Sequence, residues 1–241
     1  MAKFHGDSVP MDAILEYPNG DRAEGWPARC EEGARKNRQT TSRREVKMGD
    51  KKRCVQKAKE LAVEYQQTLV GCGHSSFAAA IDALRSEGIE LVTPEVEDEM
   101  FKGLIGLTGG VGNMGVGTCG AVIGAGFVIS LASGIGRKEL EPDKGNRWVS
   151  YYNVAEFLAR KWITKNGGLS CRETQMTSFG KALNSRLPER SKELFETAKD
   201  KGCLTCEQCT IAEAAGLAVE AIWDMKENPR DLTWVKEKHE K

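Results

Sequence analysis

This sequence predicts an all-α fold, an irregular helical bundle with a glycine-rich loop leading into a buried central helix. Three observations carry that reading. Apolar residues recur at spacings of three and four along most of the chain, as one face of a helix requires. Almost no run alternates with period two, so strands have no sequence support. The stretch from Gly103 to Gly136 holds no Asp, Glu, Lys or Arg and contains 12 of the 26 glycines. Three parts follow: an extended N-terminal arm over residues 1–50, a helical cysteine-rich domain over 51–228, and a charged C-terminal tail over 229–241.

The arm is rich in Gly, Pro, Arg and Glu, with Trp26, Cys30 and little periodicity. Such a stretch orders only by docking on something else. From Lys51 to Gly71, Cys54, Ala58, Leu61, Ala62, Tyr65 and Leu69 share one helical face. Ser75 or Ser76 is expected to cap a second helix running to Arg85, with Phe77, Ala80, Ile81 and Leu84 inward. Thr93-Pro94-Glu95 marks the start of a third, because a first-turn Pro loses no hydrogen bond and an acid suits the positive end of the helix. Thr118 to Ser133 is the buried central helix. Its apolar run is shorter than the ~20 residues a bilayer needs, so no membrane span is expected. Gly120 with Gly124 and Ala121 with Ala125 put small residues one turn apart, allowing close approach of another helix from this chain or from a second copy. Further helices are expected at about 147–164, 171–184, 188–200 and 209–226.

The 35 basic and 35 acidic residues balance, which removes the electrostatic footprint of a nucleic-acid binder. Arg43-Arg44 resembles a twin-arginine export signal, but lysines occupy the place of its apolar segment. The expected compartment is a reducing cytoplasm, where clustered cysteines point to metal binding or redox work. Of eight cysteines, three form the run Cys203-Leu-Thr-Cys206-Glu-Gln-Cys209. Soft thiolates at two successive C-x2-C spacings suit an iron–sulfur cluster or zinc, and Cys72, Cys119 and Cys171 can supply further ligands. A disulfide or dithiol role is the other chemistry open to them. No His follows either C-x2-C, which argues against covalent haem attachment. Cys119 opens the central helix, where free N–H groups and the helix dipole are expected to lower its pKa. Gly110-x-Gly112-x-x-Gly115 formally matches a dinucleotide fingerprint. It lacks the strand before it and the acid about 20 residues on, so tight wrapping of the backbone around a site is the better account.

The segment Gly109-Gly-Val-Gly-Asn-Met-Gly-Val-Gly-Thr-Cys119-Gly-Ala-Val-Ile-Gly124-Ala-Gly resembles the central signature of the C_GCAxxG_C_C family of redox-active proteins, with Cys119-Gly120-Ala121-x-x-Gly124 as its core. Cys171 before Arg172 resembles the next family cysteine, and Cys209, or else Cys206, the final one. The family is similar in turn to the helical part of split-Soret cytochromes, which carry an iron–sulfur centre, although the haem motifs are missing here. Ser76 stands where the family's first cysteine is expected, so Cys72, His74 or the extra Cys203 and Cys206 would have to compensate. The resemblance implies an iron–sulfur redox protein, with Cys72, Cys119, Cys171, Cys203, Cys206 and Cys209 as candidate ligands and Gly117 and Gly120 lining the cofactor. Such a protein needs a redox partner, and the glycine face and the arm suggest a homodimer. A cluster enzyme with an open iron position and a structural zinc module are the rival readings.

Overall fold

The computed structural model describes residues 48–203, 205–229 and 232–239. The chain divides into two units, Met1–Glu45 and Val46–Lys241. The expected arm, with Cys30, Trp26 and the Arg43-Arg44 pair, lies outside the described residues.

The second unit is all-α. Helix α1 (Met48–Thr68) buries Cys54, Ala58 and Ala62 completely along one face. It stops one residue before Leu69, which is left exposed. Helix α2 (Cys72–Ser86) is buried almost throughout, and α3 (Pro94–Ile105) starts at its proline and buries Leu104. The central helix α4 (Gly120–Ser133) ends at Gly134, whose φ of 69° supplies the left-handed cap. After a short α5 (Arg137–Leu140), the chain runs through α6 (Arg147–Val154), a π turn at Ala155–Ala159 and α7 (Arg160–Asn166). Helices α8 (Cys171–Phe179), α9 (Pro188–Asp200) and α10 (Thr210–Glu227) follow. The charged tail contains α11 (Thr233–His239), whose Val235 is buried. Helix α8 is shorter than the sequence suggests, because Gly180 at φ 72° closes it.

Helices α1, α2, α4 and α10 make the core, with α6 and the π turn against α4. Trp162 and Trp223 are its largest fully buried side chains. Lys51 pairs with Asp224, and Lys59 lies against Gly216, so α10 runs antiparallel to α1. Helix α2 turns back along α1, where the Tyr65 hydroxyl donates to Asp82 at 2.8 Å. Helices α2 and α4 run in the same direction, with Gly73 beside Gly120 and Phe77 beside Gly124. The starts of α2, α4 and α10 therefore point toward one end of the bundle.

Ser75 and Ser76 do not cap α2. The helix begins at Cys72, and both serines are buried within its second turn. The Ser76 hydroxyl lies 3.1 Å from both the Gly73 and the Ala121 carbonyl oxygens, so its proton is used where α2 crosses α4. The crossing is as close as Gly120 and Gly124 permit. A side-chain carbon on Gly124 would run into the Gly73 carbonyl, the Ser76 hydroxyl and the Phe77 amide. The small-residue contact that could have served a second copy is thus occupied by α2 of the same chain. No helix among the described residues is long and apolar enough to cross a membrane.

Candidate functional site

Cys72 is the first residue of α2, Cys119 caps α4, Cys171 is the first residue of α8, and Cys209 caps α10. Four cysteines therefore stand where the first backbone N–H groups of a helix lack intrahelical partners and the dipole favours negative charge.

The first three come together. An isolated antiparallel bridge joins Thr118 to Ser170, in which the Cys119 N–H donates to the Leu169 carbonyl and the Cys171 N–H to the Gly117 carbonyl, each at 2.8 Å. Cys72 reaches the same place from α2. Its sulfur fills the space that the missing side chain of Gly120 leaves open: a Cβ there would sit 2.5 Å from Cys72 Sγ. Gly110, at φ 76°, passes so close to Cys171 that a Cβ would lie 2.8 Å from the cysteine's own Cβ. Gly110 and Gly120 thus leave room for the Cys171 and Cys72 side chains, whereas a Cβ on Gly117 would meet the Gly110 carbonyl rather than a sulfur.

Polar partners surround the thiols. The Gly109 N–H points to Cys72 Sγ at 3.4 Å, and Gln175 Nε2 to Cys171 Sγ at 3.2 Å. Gln175 is itself held, since its Oε1 accepts from the Leu183 N–H at 2.8 Å. Burial pushes the Cys72 thiol up, the Gly109 N–H working against it, although the residue as a whole keeps some exposure. Cys171 is also raised by burial, with the Gln175 contact opposing. Cys119 is raised too, by burial and then by the neighbouring charges of Cys72 and Cys171. The expectation that its helix start lowers this thiol is therefore overturned. The Ala121 and Val122 N–H groups do pull it down, but loss of water outweighs them.

Within the run 203–209 the three cysteines have different surroundings. Cys203 and Cys209 lie against each other, whereas Cys206 is half-buried among Lys59, Glu60 and Glu207. Among the described residues, no three His, Cys, Asp or Glu side chains converge closely enough to make a ready metal shell. His74 is buried, with Nε2 3.3 Å from the Leu69 carbonyl and its ring 4.9 Å from that of Phe101, and burial lowers its pKa. It serves the turn between α1 and α2. Cys54 lies in the core 3.2 Å from the Ala83 carbonyl. Gln175 and the Gly109 N–H were not among the residues read from sequence. Gln175 had a signal, since it follows Cys171 by one helical turn.

Fold and site together define a helical thiol protein, with buried cysteines gathered at helix starts around a glycine-built cradle. The chain belongs to the C_GCAxxG_C_C family, whose model, described as "Putative redox-active protein (C_GCAxxG_C_C)", matches residues 72–221. The match begins at Cys72, the cysteine that the structure brings beside Cys119 and Cys171. No curated protein and no solved structure matches the chain.

Proposed function

We propose that this is a cytoplasmic redox protein that holds an iron–sulfur cluster on Cys72, Cys119 and Cys171 and exchanges electrons with a partner protein or a small molecule. The observation that carries the reading is that these three thiols, from three separate helix starts, lie near enough for Cys72 and Cys171 to act on Cys119; a cluster would have to draw them into a closer shell. The donor set fits, because soft sulfur ligands in a mostly dry recess suit such a cluster. Burial and mutual repulsion keep the thiols protonated when alone, so a cationic iron centre would be needed to draw the protons off. When bound, the cluster would supply one-electron chemistry. The chain's own contribution is the rest. Gly109 and Gln175 orient two sulfurs, and the N–H groups of Ala121 and Val122 favour negative charge at Cys119. Three thiolates leave one position for a further ligand or a substrate.

Anaerobically prepared protein should be brown and contain iron with acid-labile sulfide. Colourless protein holding one tight zinc would overturn the reading in favour of a structural site. We assign self-association to residues 1–45. Their deletion should weaken a homodimer, and full-length protein that sediments as a monomer refutes this assignment.

A further inference from the structure

A second pair of thiols stands at the start of α10. Cys203 and Cys209 are 8 % and 1 % exposed and lie against each other. The connection from α9 folds back to bring them together. Gly202 turns at φ 71°, the Cys203 N–H donates to the Ala198 carbonyl at 2.8 Å, and the Cys209 N–H donates to the Thr205 carbonyl at 2.9 Å. The Thr210 N–H and hydroxyl favour negative charge on Cys203, and the Ile211 and Ala212 N–H groups favour it on Cys209. Donors at the positive end of a long helix thus surround two adjacent sulfurs, which favours one negative charge shared between them. The contact from Cys209 brings Cys203 down to about 7, and the same contact pushes Cys209 up. Cys54 shows the contrast: equally buried, its thiol faces a carbonyl oxygen and burial raises it.

We propose that Cys203 and Cys209 form a redox-active dithiol, separate from Cys72, Cys119 and Cys171, that closes to a disulfide by exchange with an oxidised partner of the disulfide class. The Cys203 thiolate attacks one sulfur of the partner disulfide. That S–S bond breaks, a mixed disulfide forms, and the first partner sulfur leaves as a thiolate. The Cys209 thiol then gives its proton to solvent and attacks Cys203 Sγ, expelling the second partner thiolate. Two electrons pass to the partner, whose disulfide becomes two thiols, and the chain gains one S–S bond. Cys206 lies outside the pair, beside Glu207, Glu60 and Lys59, and serves as an internal control.

The test uses full-length, iron-containing protein, equilibrated anaerobically with oxidised glutathione, trapped with an alkylating reagent and mapped by peptide mass. The expected result is one Cys203–Cys209 linkage, a loss of two thiols per chain and full reversal by dithiothreitol, with iron content unchanged. The rate of the first step, mixed-disulfide formation at Cys203, should level off above about pH 7. Cys203→Ser should abolish the linkage and leave iron in place. No linkage, a linkage through Cys206, a rate still climbing through pH 8.5, or loss of iron in Cys203→Ser would overturn the proposal. Mapping the wild-type chain decides the matter even if the variant folds poorly. Colourless protein that still forms the linkage would sink the cluster assignment alone.

Discussion

Replacing Gly124 by Ala tests the α2–α4 crossing on which the cradle rests. The new methyl group would stand 3.0 Å from the Phe77 backbone nitrogen and closer still to the Gly73 carbonyl oxygen and the Ser76 hydroxyl. Two of these three atoms are backbone, so relief requires the helices to part by about 1 Å rather than a side chain to rotate. Overpacking of this kind costs about 1–3 kcal/mol. Ala in place of Gly within a helix returns about 1 kcal/mol, which masks part of the cost. Gly126 in the same helix provides the control, because its Cβ would find only ordinary contacts, 3.6 Å from Leu158 and Val154 side-chain carbons. The propensity gain is common to both variants, so their difference reads the crossing alone. With a urea m-value of about 2 kcal/mol per molar, Gly124→Ala should unfold at a midpoint about 0.5–1.5 M below Gly126→Ala, with unchanged slope. A Gly124→Ala midpoint at or above that of Gly126→Ala would refute the close crossing.

Gly120→Ala should displace the Cys72 sulfur, so iron per chain should fall several-fold while the urea midpoint shifts less than in Gly124→Ala; retained iron would contradict the cradle. Cys119→Ser and Cys171→Ser should each lose iron, whereas Cys54→Ser should keep it and cost about 1 kcal/mol in stability; iron analysis and denaturation decide between them. Ser170→Ala removes the cap of α8, where the Ser170 hydroxyl accepts from the Glu173 N–H at 3.1 Å and donates to the Glu173 carboxylate at 2.7 Å. It should destabilise the protein by about 1 kcal/mol and weaken iron retention at Cys171. The same Ser170 contacts, hydroxyl first and then backbone N–H, hold the Glu173 carboxyl below the usual range. Its stabilising effect is present above the unfolded value of about 4.3 and fades as pH falls through the lower folded value. Glu173→Gln should therefore flatten the acid limb of the stability–pH curve; an unchanged limb would count against this linkage.

Helix periodicity was legible because most helices bury one face, and period 3.6 survives in the letters at Cys54, Ala58 and Ala62. The start of α2 was not. Gly71 before it makes no side-chain cap, so the usual cap chemistry leaves no trace, and the buried Ser75 and Ser76 mimic one. The sequence marked Cys119 and Cys171 as candidates but could not show that they are neighbours, since the backbone bridge between them is non-local. The C-x2-C-x2-C spacing suggested three ligands around one centre. Spacing alone could not show that Cys203 and Cys209 lie against each other while Cys206 faces Lys59, Glu60 and Glu207. At Cys119 the dipole argument named a true effect and missed the larger one, desolvation, because depth is set by how helices cross.

The two backbone bonds between Thr118 and Ser170 also govern when the site can assemble. Cys72, Cys119 and Cys171 are separated by 119 − 72 = 47 and 171 − 119 = 52 positions, and contacts across such distances form only after long loops close. Helices α1 and α2, joined by a short turn, can associate early, whereas Cys171 joins Cys119 only once α5, α6 and α7 have been laid down between them. During synthesis the earlier cysteines therefore wait with an unfinished cradle, and before residue 171 has emerged at most two of the three neighbouring sulfurs are in place.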